Sequence, residues 1–143
     1  MGMLDDKVAI VTGATSGIGR RIAEVYVAEG ARVVVAARRE DEGKQLEHEL
    51  GKRTRFISTD VSNADQVKAM VDCTIDFFGR IDCLVNNAGA PSPMVSIVDV
   101  DMGNYEQVMA INVRGVMLGM KLVIPHMLGR GPEASSIFPA VPR

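Results

Sequence analysis

The chain has 143 residues, 47% hydrophobic and 24% charged, enough for one globular domain with a single core. Sixteen basic residues stand against eighteen acidic ones, a formal net charge of −2, so no broad cationic field is available to draw nucleic acid or an anionic membrane surface. Cys73 and Cys83 are too few and too ordinarily spaced for a disulfide framework or a metal knuckle; reduced core thiols and no metal are expected.

The first residues, Met-Gly-Met-Leu-Asp-Asp-Lys, carry acids where a signal peptide would be basic, and no stretch is expected to approach membrane-spanning length. Both point to the cytoplasm. Val8-Ala-Ile-Val then reads as a strand covered on both faces. It runs through Thr12 into a turn containing Gly13, Ser16, Gly17, Ile18 and Gly19, and a helix opens near Ile18 with Ile18, Ile22, Val25 and Tyr26 on one face. Gly13 permits the tight turn, Gly17 lets backbone N–H groups approach a pyrophosphate, and Gly19 permits close helix packing, while the helix N-terminus offers unpaired donors to an anion. With strand and helix flanking it, the turn is read as a dinucleotide site rather than an ordinary strand-to-helix connection.

Arg32–Ala36 forms the second strand, followed by Ala37, Arg38 and Arg39 where an NAD site would place a carboxylate on the ribose. A guanidinium matches a 2′-phosphate, which favours NADP over NAD. The plain alternative is a solvated basic start to the next helix, with Glu40 and Asp41 neutralising the pair. That helix runs from Glu40 to Leu50, and Thr54–Ser58 is the third strand. Asp60-Val61 follows at the carboxyl edge, where Asp60 either faces a ligand or opens the turn before Ser62. Ser62, with Asp65 three residues on, is expected to cap a helix whose Val67, Met70, Val71, Ile75 and Phe78 face the core. Ile81–Val85 is the fourth strand and Asn86-Asn87-Ala88-Gly89 its carboxyl end, two amides beside two small residues that can bind backbone groups and leave room for a ribose, or else form an Asx turn.

Strands separated by helices imply a parallel sheet. Pro91 and Pro93 mark a loop, and residues 102–127 read as one long helix with Tyr105, Met109, Asn112, Val116, Met120, Val123 and Met127 in an apolar stripe. Gly115 and Gly119 there would each cost roughly 1 kcal/mol in a free helix, so close packing is their expected justification. Ser135 to Phe138 starts like a fifth strand, but Pro139 and Pro142 block it. His48 is expected in solvent and His126 near a helix end, neither placed for catalysis.

Thr12-Gly-x-x-x-Gly-x-Gly and Asn86-Asn-Ala-Gly89 together resemble the short-chain dehydrogenase/reductase family. The resemblance covers residues 4 to 138, about the first half of a typical member. It implies an α/β, Rossmann-like, doubly wound parallel sheet in strand order 3-2-1-4 with an incomplete fifth strand and the C-terminal part missing. Residues 1–130 would be the dinucleotide-binding domain and 131–143 an irregular Pro-rich tail.

It further implies an oxidoreductase moving hydride between a nicotinamide and an alcohol or carbonyl, with Gly13, Ser16, Gly17, Ile18, Gly19, Arg38, Asp60, Val61, Asn87, Ala88 and Gly89 on NADP or NAD. Asn112 corresponds to the catalytic asparagine that helps hold a proton-relay water; a satisfied core amide is the equal alternative. The family works through a Tyr-x-x-x-Lys pair and a serine. Tyr26 and Tyr105 have Gly30 and Met109 four residues on, and Pro139-Ala-Val-Pro142 stands where the serine belongs, so the chain as given is expected to be inactive. The family is homo-oligomeric, but half of the usual interface is missing. A truncated reductase, a non-catalytic nucleotide-binding or interaction module, and an enzyme completed by another chain remain the three readings.

Overall fold

The computed structural model describes residues 2–129; the expected fifth-strand start at 135–138 and the tail at 131–143 lie outside the described residues. Four parallel strands, β1 (Val8–Thr12), β2 (Arg32–Ala37), β3 (Thr54–Ser58) and β4 (Cys83–Val85), lie in the order β3-β2-β1-β4. The expected topology is therefore the observed one. Register is fixed by Ile10 opposite Val34 on one side and Leu84 on the other. β1 is buried at every residue and β2 at all but its first, because helices cover both faces of the sheet.

Successive strand side chains divide between two cores. Ile10, Val34 and Ala36 point to one, where Val67, Met70 and Val71 of α3 (Ala64–Phe78) meet Val123 and Met127 of α5 (Gly115–Leu128). Val11, Val33 and Val35 point to the other, against Ala23 of α1 (Gly17–Ala28) and Leu46 of α2 (Glu40–Leu50).

Five expectations on the helices need correction. The face that α1 buries is Ile22, Ala23, Tyr26 and Val27; Ile18 is 75% exposed and Val25 points partly to solvent. α3 is capped by Asn63, whose side chain accepts from the Gln66 N–H, not by Ser62, which is bound instead to Asp60. The long helix is three pieces, α4 (Met102–Met109), a π-helical turn at Ala110–Arg114, and α5. Its expected stripe is only half right: Tyr105, Met109 and Asn112 are exposed, and burial begins at Gly115, Gly119, Val123 and Met127. Gly115 and Gly119 do pack closely, since an added Cβ would lie 2.9 Å from Val61 and 2.8 Å from the Asn86 side chain respectively. Finally, Met102–Leu128 spans 27 residues and is, by length and composition, long and apolar enough to cross a membrane, contrary to the expectation that no stretch approaches that length.

The two margins of the sheet differ. β3 bonds β2 through its odd residues, as in Val33 N–H to the Arg53 carbonyl and Thr59 N–H to the Ala37 carbonyl. On its outer side the Phe56 N–H is accepted by the Glu47 carboxylate of α2 and the Thr54 N–H by the Gly51 carbonyl. β4 pairs with β1 alone among the described residues.

Candidate functional site

All four strands deliver their carboxyl ends to one rim, and a cleft opens there. Of the expected site residues, Gly13, Ser16, Arg38, Asp60, Val61, Asn87, Ala88 and Gly89 line it. Ala37 and Arg39 join them, as do Thr15, Thr59 and Ile111, which the motifs did not single out. Gly17, Ile18, Gly19 and Asn112 are not in its lining.

The glycine turn divides into two kinds of position. Gly17 has φ of +55°, a conformation that L side chains rarely adopt, and an added Cβ there would meet nothing within 4 Å. The backbone beside it is open to any approaching group. Gly19 is the opposite: a Cβ would lie 2.3 Å from the Asn87 amide nitrogen and 2.4 Å from the Gly13 carbonyl oxygen. Ser16 is the N-cap of α1 but its side chain makes no capping bond, leaving the first-turn donors and the dipole end available to an anion. An extended ligand carrying phosphates fits such a rim.

Asn87 ties the two motifs together. Its Nδ2 donates to the carbonyls of Thr12 and Gly13, both at 3.1 Å. Thr12, buried at the end of β1, answers with a hydroxyl that accepts from the Asn87 and Ala88 N–H groups at 3.0 Å and donates to the Val85 carbonyl at 3.3 Å. Sequence reading gave Thr12 no role; a hydroxyl closing a buried strand was the available signal.

On the β2 side, Arg39 is bound by both oxygens of Glu42, at 2.8 and 3.0 Å, and Glu40 pairs with Lys44. The alternative in which Glu40 and Asp41 neutralise the Arg38–Arg39 pair is not seen: Arg39 goes to Glu42, Glu40 to Lys44, and Arg38 is exposed and makes no ion pair among the described residues. Asp60 accepts from the Ser62 hydroxyl at 2.7 Å and the Ser62 N–H at 2.9 Å, so its carboxylate is a turn-former as well as a cleft wall. The Ser62 hydroxyl foremost, then its N–H and the nearby Arg38 charge, outweigh burial and hold Asp60 below the usual carboxylate range.

Asn112 is neither in the apolar core nor free. Its Oδ1 accepts from the Ala90 N–H at 2.7 Å and its Nδ2 donates to the Ala90 carbonyl at 2.9 Å. Tyr26 offers no acid, because burial and the neighbouring Cys83 thiol push its phenol up to about 12. Cys73 and Cys83 are half-buried and form no disulfide, and no metal-ligating cluster occurs among the described residues. His48 is exposed, and His126 lies in the last turn of α5.

Comparison with known proteins gives a consistent result. The family profile described as short chain dehydrogenase matches residues 7–138. Zerumbone synthase of Zingiber zerumbet is 38% identical over 141 residues, covering 94% of this chain and 53% of that one. L-fucose dehydrogenase of Oryctolagus cuniculus is 38% identical over 121 residues, covering 85% and 42%. The solved structure of a 3-ketoacyl-(acyl-carrier-protein) reductase from Brucella melitensis, complexed with NADH, superposes with a TM-score of 0.87 at 34% identity over 90% of this chain and 53% of that one. The chain thus spans about half the length of the relatives it matches.

Proposed function

Because this chain belongs to the short chain dehydrogenase family, we propose that its cleft holds a nicotinamide dinucleotide, with NADP preferred over NAD, and serves hydride transfer between that cofactor and an alcohol or carbonyl. The observation that carries the reading is the open backbone at Gly17, which stands beside uncapped helix donors on the rim where both sequence motifs meet. When bound, the cofactor supplies or accepts the hydride; the chain's own residues bind and orient it.

Gly13, Ser16, Gly17 and Gly19 shape the diphosphate cradle, and Ile18, exposed at the head of α1, offers apolar surface to the ligand. Arg38, not the Glu42-bound Arg39, is the cation for a 2′-phosphate. Asp60 and Val61 form the adenine wall, and Asn87, Ala88 and Gly89 leave space for the second ribose. Asn112 keeps one N–H and one lone pair beyond its two bonds to Ala90, enough to hold a water.

No Tyr-x-x-x-Lys pair stands in these 143 residues, and Tyr26 is held protonated in the core. Cofactor binding without turnover is therefore the expected behaviour of this chain by itself. Titrating NADPH and NADH while following thermal unfolding tests it, since a ligand that binds only the native state raises the midpoint. A rise with NADPH larger than with NADH is expected; no rise with either overturns the reading.

A further inference from the structure

The π-helical turn at Ala110–Arg114 reaches both walls of the cleft at once. On one side Asn112 makes its two bonds to the Ala90 backbone, beside Gly89. On the other, the Arg114 guanidinium donates to the Ser62 carbonyl at 3.1 Å, and Gly115 lies so close to Val61 that an added Cβ would be 2.9 Å from its Cγ2. Residues two apart do not face each other on a helix, which is why Asn112 and Arg114 reach different loops from one turn. Ser62 is then held at each polar group of its backbone and side chain: N–H and hydroxyl by Asp60, carbonyl by Arg114.

We propose that Arg114 is a positioning residue of the dinucleotide site, fixing the Asp60–Ser62 wall through the Ser62 carbonyl and so setting its distance from the Gly89–Ala90 wall that Asn112 fixes from the same turn. The inference rests on the dinucleotide reading above and adds a residue that is not itself in the cleft lining. Its signature is selective: the wall in question is the adenine side, so ligands carrying adenosine feel the change and a mononucleotide does not.

The test is calorimetric titration of the purified protein with NADPH, ADP-ribose and reduced nicotinamide mononucleotide, in the wild type, Arg114→Ala and Arg114→Lys. Arg114→Ala is expected to weaken NADPH and ADP-ribose by about three- to tenfold, the range of one ordinary intramolecular hydrogen bond. Mononucleotide binding and the unfolding midpoint without ligand should stay unchanged. Arg114→Lys should recover most of the loss, because an ammonium can donate to the same carbonyl. Equal ADP-ribose affinity in wild type and Arg114→Ala, a parallel loss for the mononucleotide, or failure of lysine to restore binding overturns the inference alone. A wild type that binds neither NADPH nor ADP-ribose overturns the dinucleotide reading together with it.

Discussion

Two glycines of one turn separate binding from stability. Gly19→Ala drives a methyl into the Asn87 amide and the Gly13 carbonyl and is expected to destabilise the fold by about 2–4 kcal/mol, read in urea denaturation. Gly17→Ala meets open space and carries only the strain of a positive φ, about 1 kcal/mol, yet its methyl would stand where a diphosphate must approach. It should cost at least about tenfold in NADPH affinity, the equivalent of one charge-assisted bond, with little change in unfolding. Arg38 and Arg39 offer a second contrast. Arg38→Ala is expected to weaken NADPH by about tenfold and leave NADH unchanged, whereas Arg39→Ala, at a cleft-lining position whose guanidinium is already held by Glu42, should change either by less than about threefold. The glycines and the Asn-Asn-Ala-Gly run were legible because backbone needs are written in residue type. What Arg39, Asp60 and Asn112 bind was not, because partners such as Glu42, Ser62 and Ala90 are chosen by rotamer and loop geometry.

Among the elements, the strands were easier to read than the helix faces. Continuous β-branched runs admit one interpretation in a sheet covered on both sides, and β3 and α2 fall at the expected boundaries. The long helix misled because its second half is apolar almost all round, so period alone could not pick the buried side; its two glycines were the better guide, Gly119 lying against Leu84 of β4 and Gly115 against Val61 in the loop after β3. The α3 cap moved from Ser62 to Asn63 because the Asp60 turn claims Ser62 first.

Between β1 and β4, Asp82 makes a link with no sequence signature. Its buried carboxylate accepts from the Val8 N–H at 2.9 Å and from Arg80 Nε at 3.0 Å. Burial works to raise Asp82, but Arg80 and the Val8 N–H outweigh it and leave the group below its usual value. A carboxylate depressed in the folded state stabilises above the unfolded value near pH 4, and that contribution is lost as pH falls through the lower folded value. Asp82→Ala is expected to cost about 2–3 kcal/mol at pH 7 by leaving the Val8 N–H without its acceptor, and the deficit relative to wild type should shrink when denaturation is repeated near pH 3.

Across the whole molecule, apolar surface is distributed unevenly. Met102, Tyr105, Met109, Val113, Met117, Ile124 and Leu128 recur at roughly helical spacing along the outer face of the long helix, and all are exposed. The opposite face of its second half enters the core through Val123 and Met127. A stripe of this extent exceeds the scattered apolar residues of an ordinary surface. Replacing Met117 by Glu and Leu128 by Lys should lower the fluorescence of a bound apolar dye while shifting stability by no more than about 0.5 kcal/mol, since neither side chain belongs to a core cluster.

The carboxylate of Glu47 gives the sheet a direction. By occupying the outward amide of Phe56 it denies a would-be neighbour one of the donors that strand addition needs, and the turn at Gly51 removes another. A polypeptide laying itself along β3 would therefore have to displace that carboxylate first, and joined in parallel it would bring its own carboxyl end to the rim where the cleft opens.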